Sequence, residues 1–333
     1  MTEAAEKNIR SILSLAVRYS EAQSAAVVFD KQCPLSAALT EAYRRCIPKA
    51  RFIDFDRVSA AQILEILAEL KASDLAVLIQ STNFRLDDFR LRVELFNRGL
   101  KVIEHPHLSS MQGQEALYYV DSLAYDPQYY RGVGKALKER IDRAHTGVVD
   151  SGGEELVFEG GFESAKLNIG DYSEMKNTGG QFPIGEVFTE ARDLGAVNGR
   201  VRIFSFGDAS FSLNRPPRPI TLVVVRGRVA GTLDSTPEFE QVLAHIRADE
   251  GEIWVRELGF GMNRAFTQTR TVSDIGTYER MCGIHLSLGA KHSIFKKPNF
   301  TRSQARHHVD VFAVTESVSL DGERVYREGE WVP

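Results

Sequence analysis

Apolar positions in the first part of the chain alternate between two textures. Ala25-Ala26-Val27-Val28-Phe29 is a short continuous apolar run closed by a polar residue, Asp30, and Leu75-Ala76-Val77-Leu78-Ile79 is a second run of the same kind. Strands buried on both faces, as in a parallel sheet covered by helices, read this way. Between and after these runs the apolar residues recur at helical spacing. Ile63, Leu64, Ile66, Leu67 and Leu70 do so within Ser59–Lys71, and helices are also expected from about Leu35 to Cys46 and from Asp87 to Arg98. Arg51–Phe55 and Lys101–Glu104 complete the pattern as further strands, and Ile9, Ile12, Leu13, Leu15 and Ala16 mark a helix near the start. Alternating strands and helices predict a doubly wound open sheet.

The texture changes at about Gly147. Glycine becomes dense, strands shorten, and turn signals recur at Gly152-Gly153, Gly160-Gly161, Asn177-Thr178-Gly179-Gly180 and Asn198-Gly199. Ile220–Val225 followed by Arg226–Val229 predicts a hairpin. One helix stands out, Pro237–Ala248. The expected fold class is therefore α/β, with an N-terminal doubly wound open sheet over residues 1–145 and a strand-rich α+β domain over residues 146–333. No internal repeat or low-complexity segment interrupts either half.

A length of 333 residues agrees with two domains at roughly 100–200 residues each. Hydrophobic and charged contents of 43% and 26% are those of a globular chain, and they exclude a disordered chain, a collagen-like repeat or a coiled coil. The formal charge of −4 leaves no strongly basic domain, which argues against nucleic acid as the main partner. Peptides, small molecules and protein partners stay open. No GxGxxG or GxxxxGKS follows a strand, so a nucleotide is not expected. Gly132-Val133-Gly134 reads as a turn entering a charged helix, Lys135–Ala144. The three cysteines (Cys33, Cys46, Cys282) fit no zinc ribbon, CxxC motif or disulfide framework, and they are expected as reduced thiols of a cytoplasmic protein. No apolar run has the length of a signal core or a membrane span.

Candidate chemistry gathers in the second half. His285 sits in Gly283-Ile284-His285-Leu286-Ser287-Leu288-Gly289, where alternation puts His285 and Ser287 on one strand face. His308-Val309-Asp310 alternates in the same way, so its imidazole and carboxylate point together and can reach one cation. A hydrogen-bonded His–Asp pair in a core is the competing reading. Glu186, in Pro183–Thr189, and Glu257, in Trp254–Asn263, are carboxylates set in apolar, glycine-rich sequence where a solvated charge is not expected. Together these five offer a mixed oxygen and nitrogen set suited to zinc, manganese, cobalt or iron(II), for one ion or two. His245, His105, His107 and His145 carry no comparable signal; a capping turn is expected around Pro106.

PIGEVFT at Pro183–Thr189, RELGFGMN at Arg256–Asn263, GIHLSLG at Gly283–Gly289 and HVD at His308–Asp310 occur in the order seen in the aminopeptidase T and aminopeptidase S metallopeptidases, which this chain resembles over about residues 130–315. The resemblance implies a two-metal centre held by Glu186, Glu257, His285, His308 and Asp310, in an enclosed cavity of the C-terminal domain. It further implies an exopeptidase that forms homodimers and takes peptide or small-molecule substrates. The tyrosine that the family carries after the histidine falls at Ala290–Ser293, where His292 stands; Glu257 and His292 are the candidates for proton transfer. The chain is also similar, more distantly, to 2,5-dihydroxypyridine dioxygenase, an iron(II) ring-cleaving enzyme, which implies an alternative triad of His285, His308 and Asp310. A third reading is a peptide-binding protein that keeps the cavity without catalysis.

Overall fold

The computed structural model describes residues 1–86, 89–298, 300 and 305–333. Two compact units emerge: residues 1–131 with 170–184, and residues 132–169 with 185–333. The sequence reading divides the chain once, near residue 145; the structural units interleave because the segment 170–184 returns to the first of them.

In the first unit, β1 (Ala25–Phe29), β2 (Arg51–Asp54), β3 (Leu75–Ile79), β4 (Lys101–His105) and β5 (Thr178–Gln181) form a five-stranded sheet in the order β5-β4-β3-β1-β2. Every neighbouring pair is parallel. The two apolar runs are buried along their whole length, as double coverage requires. Connecting helices follow their sequence signals. Pro34–Cys46 begins with proline after Cys33, and Ala60–Ala68 is capped by Ser59 and Gln62 in a reciprocal pair of hydrogen bonds. The helix expected over 87–98 occupies Leu91–Asn97; Phe89–Arg90 is extended, and Asp87 and Asp88 lie outside the described residues.

Two other expectations are corrected here. Gly132 and Gly134 belong to the helix Pro127–Arg143 rather than to a turn before it. A side chain at Gly134 would lie 2.7 Å from Ile169 Cγ2, so close packing accounts for that glycine. His105 caps nothing. It ends β4, fully buried, between the hydroxyls of Tyr43 and Tyr119 at 2.8 Å each. His107 has a left-handed backbone and opens a short turn.

The second unit is built on a 14-stranded antiparallel sheet. The part that positions the candidate residues comprises β6 (Glu186–Glu190), β7 (Val197–Gly207), β8 (Val255–Gly261), β9 (Gly283–Leu288) and β10 (Val309–Ala313), ordered β7-β10-β9-β8-β6. The predicted hairpin forms from Ile220–Val225 and Arg228–Leu233, and the helix Pro237–Glu250 is capped by Thr236. Strands β8 and β9 are buried at every position, which agrees with their apolar sequences and leaves their charged residues without water. Among the described residues, no helix is long and apolar enough to cross a membrane.

Candidate metal centre

The register of four adjacent strands decides which side chains meet. Glu186 pairs with Gly261, Gly259 with His285, and Ser287 with Asp310. Cross-strand partners share a face, and alternate residues along each strand share it too. Glu186, His285, Ser287 and Asp310 therefore stand on one face of β6-β8-β9-β10. The glycines of β8 open the space beneath them: a Cβ at Gly259 would lie 2.0 Å from His285 Cε1. Glu257, two residues before Gly259 and paired with Glu190, lies on the same face at the end of the regular stretch. The register of β8 against β9 shifts between Val255 and Leu258, as at a β-bulge, and the Glu257 N–H donates to Ser287 Oγ at 3.0 Å.

Three buried atoms converge there. Glu186 Oε1 and Glu257 Oε1 each lie 3.3 Å from His285 Nε2, and one ligand atom from each of the three residues lies within 4.8 Å of the others. Buried carboxylates facing an imidazole nitrogen require a positive charge among them. Burial disfavours the charged form of His285, but hydrogen bonds to Glu186 and Glu257 override burial and hold the imidazole pKa well above its usual value. Burial likewise works against the Glu257 carboxylate, and hydrogen bonds from His285 and His292 overcome it, so its pKa is low. His285 Nδ1 is buried and, among the described residues, without a hydrogen-bond partner. The donor set, two carboxylate oxygens and one imidazole nitrogen, fits a divalent ion such as zinc, manganese or cobalt.

His308 and Asp310 form a pair beside this group. His308 Nδ1 donates to the Lys291 carbonyl at 3.1 Å, which turns Nε2 toward Asp310 Oδ1 at 3.2 Å. That oxygen is buried, in ion-pair range yet, among the described residues, without a hydrogen bond. Burial lowers the His308 pKa, but the Asp310 charge more than offsets it and pushes the imidazole up to about 10. Among the described residues, the group of three or more whose donor atoms lie close enough for one ion consists of Glu186, Glu257 and His285. His292, from the loop after β9, donates Nε2–H to Glu257 Oε2 at 2.6 Å. Its other nitrogen accepts the N–H groups of Ile294 and Phe295 at 3.1 and 3.2 Å.

Four charged residues of this region escape the sequence reading. Arg280 reaches Glu186 Oε2 at 3.1 Å and Glu279 at 2.6 Å. Burial, with the nearby Asp310 charge, pushes the Glu279 carboxyl up to about 8. Arg256 and Glu190 make a fully buried ion pair, and Arg256 also donates to the carbonyls of Ala290 and Phe295, fixing the loop that carries His292. Glu190 was within reach of pattern alone, since it lies four residues from Glu186 on the same strand face. Arg280 and Glu279 precede β9 outside any periodic element and carried no such signal.

A parallel α/β unit together with a strand-rich unit built on an antiparallel sheet is the architecture expected of the aminopeptidase T type, and comparison with solved structures shows that fold. Wild-type AmpT from Thermus thermophilus matches over 99% of this chain and 99% of its own, with a TM-score of 0.59 and 13% sequence identity. No sequence family and no curated protein matches the chain.

Proposed function

We propose that this chain is a metal-dependent, aminopeptidase-like hydrolase acting on a peptide or small amide. The observation that carries the reading is the buried convergence of Glu186 Oε1, Glu257 Oε1 and His285 Nε2, set in the fold of an aminopeptidase. These three would hold a divalent ion, with His308 and Asp310 beside them. Bound there, the ion supplies Lewis acidity and acidifies a water molecule. The chain's own groups do the rest. His292, its ring held between Phe188 and Phe295, donates Nε2–H to Glu257 Oε2 and so fixes the carboxylate with its other oxygen toward His285. The iron dioxygenase reading needs only His285, His308 and Asp310; the presence of two glutamates in the close-set group favours hydrolysis.

Release of free amino acid from short peptides by metal-loaded protein tests the proposal. Wild type is expected to turn over, and Glu257→Gln, His308→Ala and Asp310→Ala to lose activity. Undiminished activity in all three variants would overturn it.

A further inference from the structure

The helix Pro237–Glu250 carries carboxylates at both ends, and its dipole suits only one of the two placements. Glu238 and Glu240 stand in the first turn, where the positive end of the dipole stabilises a negative charge. Asp249 and Glu250 stand in the last turn, where the dipole opposes one. What they reach explains why they are there.

Segment 289–308 leaves the sheet after β9 and returns to it at β10, with His292 near its first end and His308 at its second. Glu250 holds both ends. Its Oε2 accepts the Ala290 N–H at 2.7 Å, two residues before His292. Its Oε1 accepts the N–H groups of Arg306 and His307 at 2.7 Å each, directly before His308. Hydrogen bonds to a carboxylate are roughly twice as strong as those between neutral groups, and this side chain takes one at each of the three amides. Asp249 braces the returning end through His307 Nε2 at 2.7 Å.

The two ends also meet each other. Lys291 donates its N–H to the His307 carbonyl at 3.0 Å, and its own carbonyl accepts from His308 Nδ1 at 3.1 Å. Gly289 permits the approach: its φ is +106°, and a Cβ there would lie 2.4 Å from the His307 carbonyl oxygen. None of the three amides held by Glu250 belongs to a candidate ligand, and a backbone N–H keeps its proton whatever the centre contains.

From this geometry we infer that Glu250 is a positioning residue of the proposed hydrolase. It ties both ends of segment 289–308 to the helix, and so sets where His292 meets Glu257 and where His308 meets Asp310. The inference rests on the metal-site reading and adds to it a residue outside the ligand group. A contact that merely stabilised the fold would act like any other contact of this helix. Thr236, which caps the opposite end of the same helix, is therefore the control.

The test compares Glu250→Ala, Glu250→Gln and Thr236→Ala with wild type, all as the full chain. Two quantities are read: kcat and KM of zinc-loaded protein on a short peptide, and the imidazole NMR signals of His292 and His308 in metal-free protein. Glu250→Ala is expected to lose about 10–100-fold in kcat with little change in KM, the range typical of groups that orient ligands, and to move both ring signals. Glu250→Gln keeps one accepting oxygen and is expected to fall between. Thr236→Ala is expected to match wild type in kcat and in both signals. Unchanged kcat or unmoved ring signals in Glu250→Ala would overturn the assignment, and so would an equal loss of kcat in Thr236→Ala. A wild type without turnover would overturn the hydrolase reading instead, and the ring signals of the metal-free proteins then decide the role of Glu250 by themselves. If Glu250→Ala does not fold, Glu250→Gln carries the same comparison.

Discussion

Two fully buried histidines, one in each unit, have opposite surroundings. His105 lies among neutral partners: Tyr119 donates its hydroxyl to the Phe182 carbonyl and so accepts from His105 Nδ1–H, leaving Nε2 to accept from Tyr43. Every polar atom of that chain is matched, and burial pushes the imidazole pKa down to about 3. His285 instead faces two carboxylates with one nitrogen and, among the described residues, has no partner for the other. The first ring is complete without a cation. The second is not, and that contrast separates a core histidine from a candidate ligand more sharply than burial does, because both are equally buried.

The largest expected effect probes the charged side of this contrast. Arg256→Met leaves Glu190 buried and unpaired, and is expected to cost about 3–5 kcal/mol in denaturant unfolding. Unchanged stability would show that the pair is dispensable. His285→Ala removes a ligand atom outright, and metal affinity by calorimetry is expected to fall at least about 100-fold, the upper range seen for losing mere supporting groups. An equal affinity would place the ion elsewhere. For the neutral side, His105→Phe strands the Tyr43 hydroxyl and should destabilise by about 1–3 kcal/mol while leaving metal affinity untouched. Loss of metal binding in that variant would erase the distinction between the two rings.

The smallest effect per step is a pH slope. The folded His105 stays neutral down to about 3, whereas the unfolded chain takes up its proton near pH 6.5. Its contribution is whole above the unfolded value and is lost as pH falls toward the folded one, at up to about 1.4 kcal/mol per pH unit. Unfolding free energies of wild type and His105→Phe, measured from about pH 7 to pH 4, should therefore differ in slope over that window. Parallel curves would mean that the buried ring is protonated in the fold.

Much of this contrast was legible in the chain, unevenly. Ala25–Phe29, Leu75–Ile79 and Gly283–Leu288 announce themselves because doubly buried strands must be apolar throughout. Thr178–Gln181 does not. It is a Thr-Gly-Gly-Gln edge strand with no β-forming pattern, whose Gly179 is required because a side chain there would strike the Val102 carbonyl at 1.9 Å. Glu186, Glu257 and His285 were recognisable as charges in apolar sequence. Arg280 and Arg256 were not, since their meaning depends on which strands become neighbours and which carboxylates then need a counter-charge. The same holds for His105, read as part of a turn until the two tyrosines, from distant helices, close around it.

Anomalous diffraction from crystals soaked in zinc tests the central claim most directly. The account predicts a peak about 2.0–2.2 Å from Glu186 Oε1, Glu257 Oε1 and His285 Nε2. Zinc bound at other residues, with those three atoms untouched, would contradict it.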